Sequence, residues 1–519
     1  MLCMSESLFH SPVGLYPFQQ ESIAQDYVKV LDGGGMLIVW DAGAGKTVFG
    51  IRMSCLLQEE GRGDLTLVMC ERGKIDEWIE DFTTFSDQVV HKHYGPNRMR
   101  RLEKAGQVDV IVTTYETAKL DLVKFNRQGK TKRGTKLSAG PLFERLAGQS
   151  VLWLADESAA KLGNRGTDLY KAIEWSLKEA RKLNPKQRVF GLTATPMESG
   201  YENAYNQGRL MFPQAMPKVG EFEQWFVKSR HPVYHTPRYD MQNIRMFRDM
   251  VAPHIDRRRK TDPDIMEQFP KKVEQFIRVD MHPKQAALYE RIAKLQSLQE
   301  EPIPGLWLAL RLVADHPASL VEAARTGESV LIKMLVEEIG EEEILATPSA
   351  KEKELLVRLD HIVNGQGDKA VCFTFFGQTV LRVLAQSLRS KGFDVYENHG
   401  GMTQSESADI RAQFRQSERP GVYLTSDAGA RGINLPEATN IFEFESSLTY
   451  ANHVQRIDRI HRINSTSPTV VCSTMVTNKS VEEGIVRKML ARNEQMDILL
   501  GDEDAGESFM TAQERKSLF

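Results

Sequence analysis

The feature that most constrains the fold of this chain is a short glycine loop set between an apolar run and a helical pattern. Residues 36–39 are apolar throughout and predict a buried parallel strand, and residues 48–53 predict a helix. Between them the chain has the sequence Trp40-Asp41-Ala42-Gly43-Ala44-Gly45-Lys46-Thr47. This layout is typical of a phosphate-binding loop, although Trp40 stands where such loops usually begin with glycine.

The residue types of the loop fit a nucleotide and Mg²⁺. Gly43 and Gly45 allow a tight turn, so that the backbone N–H groups of residues 43 to 45, including that of Ala44, face a phosphate beside the helix N-terminus. Lys46 can reach the outer phosphates of ATP, and the Thr47 hydroxyl can ligate Mg²⁺. The sequence therefore predicts ATP and Mg²⁺ as cofactors.

Composition sets the limits on other kinds of function. A length of 519 residues favours two to four domains, and 41% hydrophobic with 26% charged residues is ordinary for a globular protein. The net charge of -3 provides no bulk attraction for nucleic acid, so a polyanion site must be a local patch. Five scattered cysteines without a C-x-x-C pair argue against a disulfide framework or a zinc site. We find no signal peptide pattern and no apolar run of the ~18 residues that a membrane span needs, and we expect a cytoplasmic protein.

The loop opens a series of strands and helices. Apolar runs at residues 65–70, 108–115, 151–156 and 188–192 predict strands, and the segments between them carry helical patterns, as in residues 74–85. This alternation predicts an α/β fold with a doubly wound parallel sheet, whose sites lie at the carboxyl ends of the strands.

Two further positions complete the predicted nucleotide site. Asp156 and Glu157 follow an apolar strand, where Asp156 can hold Mg²⁺ and Glu157 can polarise the attacking water; the alternative is a pair of solvated acids. Gln19 lies upstream of the loop and is expected to recognise adenine, since its amide both donates and accepts. The alternative for Gln19 is a solvated glutamine at a helix start.

Two segments are candidates for contact with nucleic acid. Thr113, Thr114 and Tyr115 end a predicted strand and could hold a phosphate backbone or simply cap the next helix. Residues 124–136 carry six basic residues and no acid, and we expect a basic loop that either contacts nucleic acid or is only a solvated face. Its basic residues are Lys124, Arg127, Lys130, Lys132, Arg133 and Lys136.

The second half of the chain repeats the α/β pattern. Strands are predicted at residues 369–376, 393–396 and 422–426, with helices over residues 380–388 and 405–416. Later, the spacing Q-x-x-x-R-x-x-R from Gln455 predicts that Arg459 and Arg462 share one face of a helix, at positions i and i+3.

Together, these motifs resemble those of the superfamily-two helicases, and within them the Swi/Snf-type DNA-dependent ATPases. The likeness includes the glutamine, G-A-G-K-T, T-T-Y-E, D-E-S and L-T-A-T-P motifs in this order, followed by the basic segment at residues 257–262 and the glycine segment at residues 427–435. It extends from about Leu15 to about Glu483 and resembles a compact motor of bacteria and their viruses. In the family box that begins with Asp156 and Glu157, a histidine stands at the position of Ala159 and links hydrolysis to the Thr-Ala-Thr segment.

The resemblance implies two tandem RecA-like lobes with helical insertions. ATP is expected between them, with Arg459 and Arg462 acting as arginine fingers on the phosphates, and Asn434 and Gln455 also near the nucleotide. Thr425 and Arg431 are expected near the DNA backbone. The lobes are expected at residues 1–245 and 366–500, separated by a basic connector and helical segment at 246–365, with a flexible tail at 501–519.

The function predicted is an ATP-dependent translocase on double-stranded DNA. One alternative is a helicase that separates or anneals strands at forks or RNA–DNA hybrids. Another is a nucleotide-controlled scaffold without productive turnover, which the pair Ser158-Ala159 favours.

Overall fold

Two parallel sheets, each flanked by helices, organise the chain. The computed structural model describes residues 14–126, 136–197, 200–230, 237–297, 303–327, 329–430, 434–462 and 465–500. The described residues form two compact units: one is built on residues up to Met266 and the other on Glu267–Asn493. No helix in these ranges is both long and apolar enough to cross a membrane.

The first unit is built on a seven-stranded sheet with strand order β11-β1-β8-β7-β2-β4-β3, in which every pairing is parallel. Its strands are β1 (Gly34–Trp40), β2 (Leu65–Cys70), β3 (Val90–His93), β4 (Val110–Thr114), β7 (Val151–Asp156), β8 (Arg188–Thr193) and β11 (Ile255–Arg258). The central strands are buried along their whole length, which is why they are continuous apolar runs rather than alternating patterns. Two antiparallel hairpins accompany the sheet, one of β5 (Val123–Asn126) with β6 (Lys136–Ala139) and one of β9 (Val227–Arg230) with β10 (Pro237–Tyr239).

The helices of the first unit follow its strands in alternation. They are α1 (Pro17–Lys29), α2 (Lys46–Glu59), α3 (Ile75–Phe85), α4 (Arg98–Lys104), α5 (Tyr115–Leu122), α6 (Pro141–Leu146), α7 (Ser158–Leu162), α8 (Asp168–Leu183), α9 (Tyr201–Met211), α10 (Val219–Phe226), α11 (Met241–Val251) and α12 (Pro263–Met266). In α3, Ile75, Trp78 and Phe82 form the buried face that the sequence spacing predicts.

The second unit contains a six-stranded parallel sheet with strand order β12-β17-β16-β13-β15-β14. Its strands are β12 (Lys271–Val279), β13 (Ala370–Thr374), β14 (Val395–Asn398), β15 (Val422–Ser426), β16 (Asn440–Glu443) and β17 (Thr469–Thr477). A helical insertion separates β12 from β13 and contributes to the unit's main hydrophobic core. The helices are α13 (Pro283–Ser297), α14 (Pro304–Asp315), α15 (Ala318–Thr326), α16 (Val330–Ile339), α17 (Glu341–Leu345), α18 (Ala350–Leu359), α19 (Val380–Ser390), α20 (Gln404–Gln416), α21 (Tyr450–Ile457) and α22 (Val481–Leu500).

The predicted α/β fold with two parallel-sheet lobes and helical insertions is confirmed. The first sheet includes β11, which lies beyond residue 245, where the first lobe was expected to end. The residues around that expected boundary form α11 and β11. The domain boundaries expected from the sequence remain predictions.

Two local expectations were wrong. Lys124 lies in strand β5 and Lys136 begins β6, so these two residues belong to paired strands and not to a loop. Arg459 and Arg462 do not share a helix face, because α21 ends at Ile457 and the chain continues in turns in which the backbone N–H of Arg459 donates to the carbonyl of Arg456.

Several expected residues lie outside the described ranges. They are Arg127, Lys130, Lys132, Arg133 and Arg431, together with the tail at 501–519. Lys136 is described by its backbone alone.

Candidate nucleotide-binding site

The loop that follows β1 has the backbone geometry of a tight phosphate-binding turn. Gly43 and Gly45 have φ angles of +85° and +91°, and Gly45 is the N-cap of α2. A Cβ atom on Gly45 would lie 2.3 Å from the Nε2 atom of Gln19, so the close approach also requires glycine at this position. The loop therefore directs the N-terminus of α2 toward the carboxyl edge of the sheet, where an anion can bind.

Lys46 lies folded against the same loop. Its Nζ atom donates to the carbonyl oxygen of Trp40 at 2.7 Å and lies 3.4 Å from that of Asp41. These carbonyls hold the ammonium group at the concave side of the turn. A flexible point charge in this place can pass from carbonyl oxygens to phosphate oxygens with little backbone movement.

Gln19 contacts the loop directly. It is buried, its Nε2 atom donates to the carbonyl oxygen of Ala44 at 3.0 Å, and its Oε1 atom accepts from the backbone N–H of Tyr16 at 3.1 Å. The alternative of a solvated helix-start glutamine is therefore wrong. Recognition of adenine by Gln19 remains a prediction.

Trp40 has a structural reason to replace the usual glycine. Its side chain is fully buried, with ring centroids 5.7 Å from Phe18 and 5.2 Å from Phe49. Its Nε1 atom donates to the Oδ2 atom of Asp256 in β11 at 2.7 Å. Trp40 therefore anchors the start of the loop to the edge strand of the sheet, a contact that the sequence pattern did not indicate.

The second half of the site lies at the end of β7. Asp156 is half-buried, and its Oδ2 atom accepts from Nε1 of Trp78 at 3.1 Å. The loss of hydration raises the pKa of the Asp156 carboxyl, and the nearby charges of Lys74 and Lys46 and the indole hydrogen bond only partly oppose this rise. Strands β1 and β7 both pair in parallel with β8, with Val39 opposite Thr193 and Asp156 opposite Leu192, so the phosphate loop and Asp156 lie at the same edge of the sheet.

Glu157 has a strained backbone. Its φ angle is +50° and its ψ angle +48°, the left-handed conformation that a glutamate rarely adopts and that costs about 1–3 kcal/mol. Glu157 is the N-cap of α7 and directly follows Asp156, the last residue of β7. Such strain concentrates at functional sites, which fits the predicted role of Glu157 in orienting water.

Thr47 and Asp156 each carry an oxygen donor of the kind that Mg²⁺ prefers. A threonine hydroxyl and a carboxylate are hard oxygen ligands, and Mg²⁺ typically takes one or two protein oxygens with phosphate and water as the others. Among the described residues, no group of three or more His, Cys, Asp and Glu side chains could hold a metal ion. These residues fit Mg²⁺ as a partner of bound phosphate.

Thr113, Thr114 and Tyr115 form hydrogen bonds within the protein. Thr113 Oγ1 donates to the carbonyl of His93 at 2.8 Å, and Thr114 Oγ1 caps α5 by accepting from the backbone N–H of Thr117 at 3.1 Å. The Tyr115 hydroxyl donates to the carbonyl oxygen of Asp156 at 2.6 Å. All three are buried, which favours the capping alternative and ties β4 to the acid pair.

The candidate residues of the second unit lie around the segment that follows β15. Thr425 is buried within β15. The carbonyl oxygen of Asn434 accepts from Arg415 at 2.6 Å, and the carbonyl oxygen of Arg459 accepts from the backbone N–H of Leu435 at 2.8 Å. Arg462 Nε donates to the carbonyl oxygen of Asp458 at 2.8 Å. These contacts join the segment of Asn434 to the turn of Arg459.

Gln455 lies half-buried on α21, next to a buried arginine that the sequence pattern did not single out. Arg456 donates to both carboxylate oxygens of Asp427 at 2.6 and 2.9 Å and to Oε1 of Glu443 at 3.0 Å. The second oxygen of Glu443 bonds with Nδ1 of His453 at 2.6 Å and accepts from the Thr474 hydroxyl at 2.7 Å.

The network fixes the charge of Glu443. Burial alone would raise the pKa of this carboxyl, but the charges and hydrogen bonds of His453 and Arg456 lower it to about 2. The only sequence signal was a charged residue inside an apolar strand, since Glu443 follows Ile441 and Phe442.

Comparison with known proteins agrees with this geometry. The SNF2-related domain family matches residues 19–329, and the helicase conserved C-terminal domain family matches residues 352–464. The protein named "Putative ATP-dependent helicase/translocase YwqA" of Bacillus subtilis is 24% identical over 472 residues, which cover 87% of this chain and 45% of YwqA. The SWI/SNF chromatin-remodeling complex subunit snf22 of Schizosaccharomyces pombe is 22% identical over 475 residues, which cover 86% of this chain and 26% of snf22. The chain thus spans less than half the length of these relatives.

A solved structure of the Sulfolobus solfataricus SWI2/SNF2 ATPase core in complex with dsDNA is 19% identical, covers 98% of both chains and superimposes with a TM-score of 0.42. The family assignment rests on the SNF2-related match, which spans the phosphate loop, the acid pair and the Thr-Ala-Thr segment. This chain belongs to the SNF2-related family.

Proposed function

We propose that this chain is a motor that hydrolyses Mg-ATP and uses the energy to move along double-stranded DNA. The observation that carries the proposal is the meeting of the two halves of the site in one unit. The phosphate loop with Lys46 follows β1 and Asp156 ends β7, and both strands pair in parallel with β8, so the two lie at the same edge of one sheet. The name of the relative YwqA, a helicase/translocase, supports the ATP-driven movement, and that of the bovine relative, DNA excision repair protein ERCC-6-like, supports the DNA part of the proposal.

The residues of the first unit divide the chemistry among them. The N-terminus of α2 and Lys46 bind the phosphates, and Thr47 and Asp156 would hold Mg²⁺, which neutralises charge on the phosphate oxygens when bound. Glu157 orients the attacking water and accepts its proton. In the second unit, Arg459 and Arg462 are proposed to stabilise the charge that develops on the transferred phosphoryl group.

Two substitutions test the ATPase assignment. Lys46→Ala removes the phosphate cation and Glu157→Gln removes the proton acceptor, so each should lower the DNA-stimulated rate of ATP hydrolysis by about 10²-fold or more. Thermal melting should stay within a few degrees of the unmodified chain. Near-full turnover by Glu157→Gln would show that the assignment of the base is wrong.

The mode of action needs a second assay. A translocase on duplex DNA should displace a third strand from a triplex while leaving a forked duplex paired. Separation of the fork would favour the strand-separating alternative. ATP binding without turnover would favour the scaffold, which the Ser158-Ala159 pair supports.

Contact with DNA is proposed to involve mainly its backbone. Binding should then weaken steeply with salt and depend little on base sequence. Neutralising the basic residues of the segment at 124–136, which begins with the exposed Lys124, should lower DNA-stimulated but not DNA-free hydrolysis. An unchanged stimulated rate would remove this segment from the DNA-binding surface.

A further inference from the structure

A buried glutamine joins the acid pair to the Thr-Ala-Thr segment. Ser158 directly follows Glu157, and its hydroxyl donates to Oε1 of Gln207 in α9 at 2.8 Å. Nε2 of the same amide donates to the carbonyl oxygen of Pro196 at 2.9 Å and to Oδ1 of Asn203 at 2.7 Å. Ser158 and Gln207 are both completely buried. The two ends of one amide group therefore contact the two segments that follow strands β7 and β8.

The neighbouring amides of α9 bind elsewhere. Nδ2 of Asn203 donates to the carbonyl oxygen of Ala159 at 3.2 Å, and Nδ2 of Asn206 donates to the carbonyl oxygen of Gly163 at 2.8 Å. Both therefore bind carbonyl groups of α7 and of the glycine that follows it, as a purely structural contact would. Gln207 differs, because besides Asn203 it bonds with a side chain beside the acid pair and with a carbonyl on the other segment.

The packing around Ser158 leaves space for this link. A Cβ atom on Gly191 in β8 would lie 2.2 Å from Cε of Met211 and 2.8 Å from the Ser158 hydroxyl oxygen, so glycine at 191 makes room for both side chains. Ala159, at the position of the family's histidine, is buried and has no polar side-chain atom. A polar connection between the two segments must come from another element.

The segment after β8 is itself a closed turn. The backbone N–H of Thr195 donates to the Thr193 hydroxyl at 3.2 Å, and this hydroxyl lies 3.2 Å from the Thr195 carbonyl oxygen. Because these hydrogen bonds hold residues 193–195 together, a displacement of the turn would also move the carbonyl group of Pro196, the next residue. Because a buried amide keeps its hydrogen bonds, Gln207 would follow and turn Ser158, and with it the strained peptide of Glu157.

We propose that Gln207 is a positioning residue that couples the Thr193–Pro196 segment to Glu157 through the Ser158 hydroxyl. This inference rests on the proposed function, since it concerns how DNA stimulates ATP hydrolysis. Gln207 does not touch the reacting atoms, and its effect is on the orientation of Glu157. The link takes the place of the histidine that this chain lacks.

The experiment compares the full-length chain with Gln207→Leu, Ser158→Ala and the double variant, with Asn206→Leu as the matched control on the same helix. The readout is the ratio of the ATP hydrolysis rate with saturating duplex DNA to the rate without DNA, together with KM for ATP. Gln207→Leu and Ser158→Ala should each lower this ratio about 5-fold or more, as a lost coupling between sites would. KM for ATP should change less than about twofold, since ground-state binding is not involved.

The double variant adds a test of the shared path. Its ratio should equal that of the more severe single variant, because both substitutions break one connection. Asn206→Leu should keep the wild-type ratio even where its melting temperature falls. If Gln207→Leu does not fold, Ser158→Ala decides the matter, because it removes only one hydroxyl.

The outcomes separate this inference from the proposed function. A wild-type chain without DNA stimulation would overturn the proposed function, and this inference with it. A stimulated wild type with unchanged ratios in Gln207→Leu and Ser158→Ala would overturn only the coupling. A ratio that falls equally in Asn206→Leu would also overturn it, since general packing of α9 would then explain the effect.

Discussion

Asp156 and Glu443 hold the same position in the two units, each as the last residue of a parallel strand, but their surroundings are opposite. Asp156 is half-buried, and one of its oxygens accepts from the neutral indole of Trp78. Glu443 is 1% exposed, and its oxygens contact His453, Arg456 and the Thr474 hydroxyl. The carboxyl pKa is raised at Asp156 and lowered to about 2 at Glu443.

This difference separates a site for chemistry from a structural site. The charge of Glu443 is already compensated by protein cations, so it fixes the fold of the second unit. The charge of Asp156 is offset only in part, by Lys74 and Lys46, and the side chain is half-buried rather than enclosed, which suits a carboxylate that a divalent cation is to approach. The position of an acidic residue at a strand end therefore does not distinguish a catalytic from a structural role. The groups that contact its carboxylate are needed for that.

The largest effect is expected when the carboxylate of Asp156 is neutralised. Asp156→Asn should lower the ATP hydrolysis rate by about 10²-fold or more, because the metal ligand is lost while the Trp78 hydrogen bond can remain. The melting temperature at pH 7 should stay the same or rise, since ionising a carboxyl whose pKa is raised by burial opposes folding. Hydrolysis at an unchanged rate would show that Asp156 does not hold the metal.

The matching change in the second unit should act on stability. Glu443→Gln removes the negative charge that Arg456 and His453 face and leaves Asp427 as the remaining carboxylate bonded to Arg456, so the free energy of unfolding should fall by about 3–5 kcal/mol. Denaturant unfolding monitored by circular dichroism measures this loss. An unfolding midpoint equal to that of the unmodified chain would mean that the network is not stabilising.

A smaller effect is expected in how the stability difference between the unmodified chain and Glu443→Gln changes with pH. The folded-state pKa of Glu443, about 2, lies below its ordinary value of 4.5, so its contribution is complete above pH 4.5 and is lost as pH falls toward 2. The loss is of the order of 3 kcal/mol. The pKa of His453 is raised from 6.5 by the charge of Glu443 against the effect of burial, so its contribution is complete below pH 6.5 and is lost as pH rises through the raised value.

Unfolding free energies of the unmodified chain and of Glu443→Gln, measured across pH 3 to 9, check both limbs. The difference between the two proteins should be largest between about pH 4.5 and 6.5. A difference that is constant over the whole range would exclude the proposed ionic role of this pair.

The smallest effect is expected at the hydrogen bond of Asp156. The hydrogen bond from the indole of Trp78 lowers the pKa of Asp156. Trp78→Phe removes this donor, so the pKa of Asp156 should rise further. The acid limb of kcat/KM for ATP should move to higher pH by about one unit or less. An acid limb that moves to lower pH, or not at all, would show that another group controls it.

The sequence predicted those parts of the site that depend on local geometry. The loop of Gly43 to Thr47 and the acids Asp156 and Glu157 lie at strand ends because the chain alternates strands and helices, and a parallel sheet brings those ends to one edge. Gln19 also lies against the loop, as a site residue should.

The sequence could not predict contacts between distant segments. Three such contacts join side chains that tertiary packing buries together: Arg456 with Glu443, Trp40 with Asp256, and Gln207 with Ser158. A polar residue within an apolar run indicates that a partner is needed, but the sequence does not identify that partner. The helix predicted around Arg459 failed because the i, i+3 spacing also fits the turns that follow Ile457. Local periodicity cannot separate these two conformations.

The central claim is tested most directly by one measurement of ATP hydrolysis. The full-length chain is assayed with Mg-ATP, with and without saturating double-stranded DNA, beside Lys46→Ala as the background. We predict turnover that rises several-fold with DNA and falls to background in Lys46→Ala. Turnover that is absent under both conditions, or equally present in Lys46→Ala, would contradict the account.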